Sequence, residues 1–296
     1  MKKTVFTGSG VALITPMHQD GSVNYEKLAE LVEFHVNNKT DAIIACGTTA
    51  ESATLSKEEH EDIIKFVIKC AAGRIPVIAG TGSNETYYAA ELSQQAEKAG
   101  ADALLIVTPY YNKTTQAGLV AHYNYIADRV NIPIILYSVP SRTGLNIAPE
   151  TCKELSKHKN IVAIKEASGD ISQVAKIAAL CGDDLQIYSG NDDQIVPIMS
   201  LGAKGVISVL ANVCPKEAHD ICQEYLDGNV AKATALQLEY LELINNLFCE
   251  VNPTPVEEAM NIMGFQVGEC RLPLVKPSEA NCKKIADSLR KVGVIK

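Results

Sequence analysis

Two apolar segments of the sequence end in side chains that are suited to covalent chemistry on a carbonyl compound. Residues 161–164 run directly into Lys165, and residues 134–136 run into Tyr137. An ammonium group that points into an apolar interior is costly unless it loses its proton, and only the neutral amine attacks a ketone to form an imine. A nearby phenol can move the protons that this reaction releases and consumes. The pair therefore predicts a lysine nucleophile with a tyrosine as its proton-transfer partner.

Three further positions offer groups that could hold a small carboxylate. Gly47-Thr48-Thr49 is a glycine turn that exposes backbone N–H groups and two hydroxyls, although such a turn can also serve as an ordinary helix entry. Arg142 has a guanidinium that can bind a carboxylate through two parallel hydrogen bonds. Gly190 permits a ligand to approach the backbone closely. The sequence therefore predicts a small organic acid as the ligand.

Two pairs of adjacent residues could have a further role. A pair of tyrosines could contact another subunit, and a pair of aspartates could bind a metal. Tyr110 and Tyr111 stand together in a loop, and we expect them both to line the site and to contact a second subunit. Asp192 and Asp193 follow a glycine, but no His, Asp or Glu cluster with the spacing of metal ligands accompanies them. We therefore expect no metal site, and we assign the two aspartates to helix capping.

The elements that position these residues alternate between strands and helices. Eight short apolar segments recur at an average spacing of about 30 residues, the size of a βα unit. They lie at residues 10–14, 42–46, 76–79, 103–107, 133–137, 161–165, 185–189 and 205–209. This pattern predicts an α/β fold, a (β/α)₈ TIM barrel, whose functional groups sit at the carboxyl ends of the strands. A doubly wound open sheet is the alternative, but it calls for a glycine-rich fingerprint after the first strand, where Thr15-Pro16-Met17 stands instead.

The predicted barrel brings the lysine and the tyrosine together. Alternation along the sixth strand places Lys165 on the same side as Ile161 and Ala163, pointing into the barrel. Tyr137 ends the neighbouring strand, and adjacent strands lie only about 4.8 Å apart. We therefore expect the amine and the phenol to meet at the mouth of the barrel.

Helical patterns fill the remaining sequence and continue past the last strand. Residues 25–37 and 86–99 have helical spacing, and Ser56 opens another helix with a capping box. Beyond the strands, residues 230–248, 255–263 and 278–292 predict helices that are separated by prolines. The sequence thus predicts two regions, a catalytic barrel over residues 1–224 and a small C-terminal helical region over residues 225–296 that packs on it.

Composition narrows the class of protein. A net charge of −8 disfavours binding to nucleic acid or to an anionic membrane surface. Nine cysteines without a C-x-x-C pair and without a signal peptide indicate reduced thiols. No apolar run approaches the roughly 18 residues that span a bilayer. We therefore expect a cytoplasmic protein.

Taken together, three motifs are more specific than their parts. They are Gly47-Thr48-Thr49-Ala50-Glu51, the segment 137–144 (Tyr-Ser-Val-Pro-Ser-Arg-Thr-Gly) and Lys165-Glu166-Ala167-Ser168-Gly169. The chain resembles the dihydrodipicolinate synthase family of pyruvate-dependent class I aldolases from about Thr7 to the C-terminal helices. The resemblance implies a lyase that condenses pyruvate with L-aspartate 4-semialdehyde in diaminopimelate and lysine biosynthesis, without a metal or organic cofactor. It also implies a homo-oligomer, at least a dimer and commonly a tetramer built from two dimers.

The resemblance also implies roles for particular residues. Lys165 forms the imine with pyruvate, Tyr137 and Thr48 relay protons, and Tyr111 completes the relay from a neighbouring subunit. Substrate binding falls to Thr48, Thr49, Arg142, Gly190 and Ile207, of which the two threonines take the pyruvate carboxylate and Arg142 takes that of the second substrate.

A regulatory site for lysine is known in the family, and this chain departs from it. Five of its positions match, namely Ser52, Ala53, His60, Asn84 and Tyr110, but Lys57 stands where a histidine is expected and Tyr88 where a glutamate is expected. A cation has replaced a neutral ring, and the carboxylate that pairs with the amine of lysine is missing. We therefore expect weak or absent inhibition by lysine.

Two other functions compete with this interpretation. N-acetylneuraminate lyase and 2-keto-3-deoxy sugar acid aldolases share the lysine and the tyrosine, but a sugar acid calls for hydroxyl-matching groups rather than Arg142 and the Thr48-Thr49 pair. A non-catalytic barrel that binds a small acid is the second alternative, because fold alone does not establish function.

Overall fold

In the computed structural model, which describes residues 2–296, eight parallel strands close into a barrel. The strands are β1 (Gly8–Ala12), β2 (Ala42–Ala45), β3 (Val77–Gly80), β4 (Ala103–Val107), β5 (Ile134–Ser138), β6 (Ile161–Glu166), β7 (Gln186–Ser189) and β8 (Gly205–Ser208). Each strand pairs with the next, and β1 also pairs with β8, where Gly10 lies opposite Ile207. The predicted (β/α)₈ barrel is confirmed.

The first strand begins and ends two residues earlier than the apolar pattern predicts. Gly8 already pairs with Gly205 of β8, so the strand starts there. Leu13 and Ile14 are buried but lie beyond the strand, and the N–H of Ile14 donates to the side-chain oxygen of Asn212 at 3.2 Å. An apolar run therefore marks burial here rather than strand pairing.

Helices follow the strands and cover the outside of the barrel. They are α1 (Tyr25–Asn37), α2 (Lys57–Ala71), α3 (Thr86–Ala99), α4 (Gln116–Ala127), α5 (Pro140–Thr143), α6 (Pro149–Leu155), α7 (Ile171–Cys181), α8 (Ile195–Met199), α9 (Pro215–Leu226), α10 (Val230–Glu239), α11 (Leu241–Asn246), α12 (Thr254–Ile262) and α13 (Glu279–Lys291). The capping box at Ser56 is present. The prediction of a single helix over residues 230–248 is wrong. The structure has two helices there, divided at Tyr240, whose ψ of −3° is typical of a last helical turn. Within residues 2–296, no helix has the length and apolarity needed to cross a membrane.

Alternation along the strands produces two apolar cores. On β4, Ala103 and Leu105 join a cluster inside the barrel, whereas Leu104 and Ile106 join the larger cluster between the strands and the helices. Both faces of the parallel sheet are therefore buried, as such a sheet requires. Side chains near the carboxyl ends of the strands, above the inner cluster, face the mouth of the barrel.

The helices that follow the barrel are held to it by a partly buried arginine. The guanidinium of Arg271 binds both carboxylate oxygens of Glu59, at 2.7 and 2.5 Å, and donates to the carbonyl oxygens of Gly21 and Thr54, each at 2.8 Å. Such a bidentate pair fixes orientation as well as distance. The C-terminal region therefore packs on the barrel, while the division at residues 224 and 225, which falls in the last turn of α9, stays a prediction.

Candidate active site

Strands β5 and β6 place Tyr137 and Lys165 side by side at the mouth of the barrel. The two residues are register partners across the sheet. The amine nitrogen of Lys165 lies 4.4 Å from the centre of the Tyr137 ring, a distance at which a cation and an aromatic face attract each other. Lys165 is only 6% exposed and Tyr137 7%, and both line a cavity of about 190 Å³. The amine is therefore shielded from bulk water but open to a small ligand.

The inward direction of Lys165 depends on an irregularity in β6. Between the first two register pairs of β5 and β6, Ile134 faces Ile161 while Ile135 faces Ala163, so Val162 is an extra residue in β6. Val162 and Ala163 both belong to the inner cluster, and Ile161 packs outside the barrel. The expectation that Ile161 shares the side of Lys165 is therefore wrong, because the bulge resets the alternation.

The Thr48-Thr49 turn forms the wall of the cavity opposite the strands β5 and β6. Thr48 to Ala50 make a single 3₁₀ turn, and Glu51 ends it in the left-handed conformation at φ +56°. The hydroxyl of Thr15 donates to the carbonyl oxygen of Ala50 at 2.8 Å and so ties the turn to the loop after β1. Thr48 and Thr49 both line the cavity.

Arg142 and Gly190 line the same cavity. Arg142 lies on the short helix α5, and its side chain donates to the carbonyl oxygen of Asn252 at 3.1 Å. Gly190 is required where it stands, because an added Cβ would lie 2.5 Å from the Cβ of Ala167. The structure thus brings a buried amine, a phenol, two threonines and a guanidinium to one small cavity, an arrangement suited to imine formation with a carboxylated ketone.

Comparison with known proteins identifies the family that shares this arrangement. The sequence profile of the Dihydrodipicolinate synthetase family matches residues 5–292. The chain belongs to this family. The 4-hydroxy-tetrahydrodipicolinate synthase of Caldicellulosiruptor saccharolyticus is 60% identical over 290 residues, which cover 98% of each chain.

Solved structures support the same assignment. Dihydrodipicolinate synthase from Aquifex aeolicus is 46% identical with a TM-score of 0.96, covering 98% of this chain and 99% of that one. The chloride-inhibited enzyme from Acinetobacter baumannii, whose crystal contained pyruvate, is 43% identical with a TM-score of 0.96, covering 99% of this chain and all of the other.

Ile207, a substrate-binding residue implied by the resemblance to the Dihydrodipicolinate synthetase family, lies deeper than expected. It is fully buried inside the barrel, as part of the inner cluster. Val209, two residues further on, takes the place on the cavity wall. The difference arises because β8 continues to Ser208, so Ile207 still belongs to the packed strand region.

Two residues from the C-terminal region complete the cavity, and sequence reasoning missed both. Phe248 and Asn252 lie on its wall. The side-chain amide of Asn252 donates to the hydroxyl of Thr49 at 3.0 Å, while the backbone carbonyl oxygen of Asn252 accepts from Arg142. The Asn252-Pro253 dipeptide was visible in the sequence only as a break between helices. Asn252 therefore connects two groups that could bind carboxylates.

Tyr111 points away from the cavity of its own chain. It is 92% exposed and adopts the left-handed conformation at φ +65°, which is unusual for a bulky residue. Its neighbour Tyr110 is partly exposed and lines a second, larger cavity. An aromatic ring held outward in this way is suited to a contact with another subunit.

The second cavity adjoins the first and contains most of the positions that the resemblance assigns to a regulatory site. It measures about 460 Å³, and Thr48 and Arg142 line both cavities. Of the residues at the positions of that regulatory site, those on the cavity wall are Ser52, Ala53, His60 and Tyr110, which match it, and Tyr88, which does not. Asn84 and Lys57 lie outside that wall, and the amine of Lys57 pairs with Glu91 at 2.6 Å.

A buried group of acids lies behind the Thr48 turn. Within residues 2–296, the ligand atoms of Glu51, Glu257 and Cys270 lie within 4.8 Å of one another, a spacing that could hold a metal ion. The thiol of Cys270 donates to Glu257 at 2.9 Å, and the backbone N–H of Arg271 donates to Glu51 at 2.8 Å. Burial raises the pKa of the Cys270 thiol and of both carboxyls, which favours their protonated forms.

The pair of carboxyls predicts an unusual dependence of stability on pH. Burial, and then the nearby charge of Glu51, raise the pKa of Glu257 well above its usual value, so folding takes up a proton. The resulting stabilisation is complete below the pKa of the unfolded chain, near 4, and is lost as pH rises through the higher pKa of the folded protein. We expect the free energy of unfolding of Glu257→Gln, which mimics the protonated acid, to decline less than that of the wild type as pH rises above about 4. The difference in slope is at most about 1.4 kcal/mol per pH unit for one proton.

Urea unfolding between pH 5 and pH 9 measures this difference. The control is Glu279→Gln, which removes an exposed carboxylate from the same region. Equal slopes in the wild type and in Glu257→Gln would show that Glu257 is ionised in the folded protein.

Proposed function

We propose that this chain uses Lys165 to condense pyruvate with L-aspartate 4-semialdehyde, giving 4-hydroxy-tetrahydrodipicolinate in diaminopimelate and lysine biosynthesis. The chain is an enzyme, a lyase of the Dihydrodipicolinate synthetase family, and close relatives bear the name of this activity. The observation that carries the proposal is the buried amine of Lys165 beside Tyr137, in a cavity that also presents Thr48, Thr49 and Arg142.

The first half of the reaction forms a carbon nucleophile. The neutral amine of Lys165 attacks the ketone carbon of pyruvate, and water leaves to give the imine. The protonated imine then withdraws electrons from the adjacent methyl carbon, which loses a proton to give the enamine. Tyr137 and Thr48, which both line the cavity, are the groups that we assign to these proton transfers.

The second half joins the substrates and releases the enzyme. The enamine carbon attacks the aldehyde of L-aspartate 4-semialdehyde, whose oxygen takes up a proton. The amine of that substrate then attacks the imine carbon and displaces the amine of Lys165, which closes the ring. Because the protonated imine is the electron sink, the proposed chemistry needs no metal and no organic cofactor.

Binding of the two carboxylates falls to different walls of the cavity in this proposal. Thr48 and Thr49 bind the carboxylate of pyruvate through hydroxyl and backbone N–H groups, and Arg142 binds that of the second substrate. Gly190 lets the ligand approach the backbone of the loop after β7. All nine cysteines are free thiols, which suits the cytoplasm that we propose as the location of the protein.

Steady-state assays with alternative substrates test this function. We expect the wild type to turn over pyruvate with L-aspartate 4-semialdehyde at least about 100-fold more efficiently than it cleaves N-acetylneuraminate or 2-keto-3-deoxy sugar acids. A site built to pair charged groups discriminates against a ligand that leaves those groups unpaired, and the resulting ratio of catalytic efficiencies is at least of this size. Faster cleavage of a sugar acid would overturn the proposed substrates.

We further propose that the protein is a homo-oligomer, at least a dimer, in which Tyr111 reaches the active site of a neighbouring subunit. Its outward ring and the exposed apolar residue Leu272, 79% exposed, support a contact between subunits. A tetramer of two dimers is the expected assembly by resemblance to the family.

Complementation between two defective variants tests this arrangement. Tyr111→Phe and Lys165→Ala should each be nearly inactive alone. Co-expressed in equal amounts, half of the dimers are mixed, and one site in each mixed dimer has both groups intact, so about one quarter of wild-type activity should return. Activity no higher than that of the separate variants, in mixed dimers verified by mass spectrometry, would show that Tyr111 does not act across the interface.

Inhibition by lysine is expected to be weak or absent. Tyr88 supplies a phenol to the second cavity where a carboxylate would pair with the amine of lysine, and Lys57 lies off the cavity wall, paired with Glu91. An ammonium that enters this cavity without a carboxylate partner loses its hydration, so lysine should bind poorly. Steady-state rates should stay within about twofold of the uninhibited value at 1 mM lysine, which corresponds to a dissociation constant of about 1 mM or weaker. Half-maximal inhibition below 1 mM would contradict this prediction.

A further inference from the structure

A buried chain of polar side chains connects the ends of the two strands that carry Tyr137 and Lys165. Ser138 directly follows the tyrosine, and Glu166 directly follows the lysine. Both are fully buried on the outer side of the barrel wall, facing the helices rather than the cavity. Two amides, those of Asn146 and Gln173, join them.

Three hydrogen bonds of this chain lead from Ser138 to Glu166, and a fourth runs from Gln173 back to Asn146. Ser138 accepts the N–H of Ile147 at 3.2 Å and donates its own proton to Asn146 at 2.9 Å. The amide nitrogen of Asn146 donates to Gln173 at 2.5 Å. The amide nitrogen of Gln173 then donates to Glu166 at 2.8 Å and also to Asn146 at 3.1 Å. Because a carboxylate only accepts, Glu166 fixes the orientation of both amides.

A carboxyl group is a costly choice at this place, which suggests that it has a task. Glu166 is fully buried, and burial raises its pKa. Apart from Gln173, its oxygens are held by Ser168, whose backbone N–H lies 3.3 Å from each of them. An apolar residue would pack here at less cost, but it would not tie β6 to helix α7 in a single geometry.

We propose that Gln173 is a positioning residue, which sets the alignment of Lys165 and Tyr137 through Glu166 and Ser138. This inference rests on the proposed function. Gln173 is 8% exposed and lies on helix α7, so it acts from outside the barrel and touches no substrate. A displacement of about 1 Å between reacting groups can lower a rate by about 100-fold, so the alignment of the two strand ends matters for catalysis.

Substitution by methionine tests the chain without changing the volume of the side chain greatly. Gln173→Met removes the donor to Glu166 and the acceptor for Asn146. We expect kcat to fall about 10- to 100-fold, while the KM for pyruvate changes by less than about threefold, because the groups that bind the carboxylate are untouched. The exposed neighbour Ser172 provides the control, and Ser172→Ala should retain the wild-type kcat.

A second variant distinguishes positioning from a merely structural role. Gln173→Glu keeps the shape but brings two carboxyls together, and such a pair holds one shared proton until the pH is high enough to remove it. The other titratable groups that face Glu166 are Asp170 at the start of α7 and Cys152 on α6, while Lys165 lies on the opposite side of β6. We expect a new ionisation in the pH profile of kcat, with activity near the wild type at low pH and a loss of about tenfold at high pH.

Trapping with borohydride separates this inference from the proposed function. We expect the wild type to form a reduced pyruvate adduct on Lys165. We expect Gln173→Met to form the same adduct more slowly. Normal kcat in Gln173→Met, or a pH profile of Gln173→Glu that matches the wild type, would overturn the positioning role while leaving the imine chemistry intact. Wild type without an adduct would instead overturn the function on which the inference rests.

Discussion

Replacement of Lys165 by alanine should lower kcat/KM for the condensation of pyruvate with L-aspartate 4-semialdehyde by about 10³-fold or more. The substitution removes the only group that we assign to covalent bonding with pyruvate, and loss of a nucleophile removes the whole covalent pathway. The fold should survive, because an alanine at the mouth of the barrel enlarges an existing cavity rather than creating one in the packed core.

A control variant and a test of folding accompany this prediction. Lys176→Ala removes an exposed lysine from helix α7 and should have wild-type kinetics. Circular dichroism and thermal unfolding should show that Lys165→Ala is folded. A folded Lys165→Ala that retains more than about a tenth of the wild-type rate would be incompatible with covalent catalysis by this residue.

Replacement of Tyr137 by phenylalanine should lower kcat by about 10²- to 10⁴-fold. The substitution deletes one hydroxyl and keeps the ring that lies over the amine of Lys165, so the contact of 4.4 Å between them can persist. General acid–base catalysis usually contributes a factor of this size. The imine should still form, but slowly, because its formation also needs proton transfer.

The comparison with another tyrosine makes the result specific. Tyr125 lies partly exposed on helix α4, and Tyr125→Phe should behave as the wild type. Single-turnover kinetics can then assign the loss in Tyr137→Phe to chemistry rather than to binding. A change of less than about threefold in kcat would show that another group moves the protons.

The barrel and the adjacency of its two central side chains follow from local rules. Apolar segments at a regular spacing predict parallel strands, and neighbouring strand ends lie close together whatever the details of the loops. The register that pairs Tyr137 with Lys165 is of this kind. Residues that end neighbouring strands can therefore be assigned to one site from the sequence.

Features that depend on packing between distant segments could not be predicted in the same way. The extra residue Val162 is apolar like its neighbours, so nothing in the sequence pattern indicates the bulge that turns the side chain of Ile161 to the outer face of the barrel. Asn252 reaches Thr49 from 203 positions away in the chain, through a contact that only the packing of the C-terminal region determines. Its polar character alone does not distinguish it from an ordinary loop residue.

The depth of a side chain in the barrel also cannot be predicted from the periodicity of the sequence. Strand alternation alone would place Ile207 and Val209 on the same side of one segment, and it gives no reason to put one in the inner core and the other on the cavity wall. Tyr111 illustrates the remaining gap, because its exposed ring gains a role only in an assembly of several chains.

Mass spectrometry of the protein after incubation with pyruvate and sodium borohydride tests the central claim most directly. Borohydride reduces an imine to a stable amine, so the account predicts one reduced pyruvate group per chain, located by peptide mapping on Lys165, and no such group on Lys165→Ala. Wild-type protein that gains no adduct, or gains it on another lysine, would contradict the account.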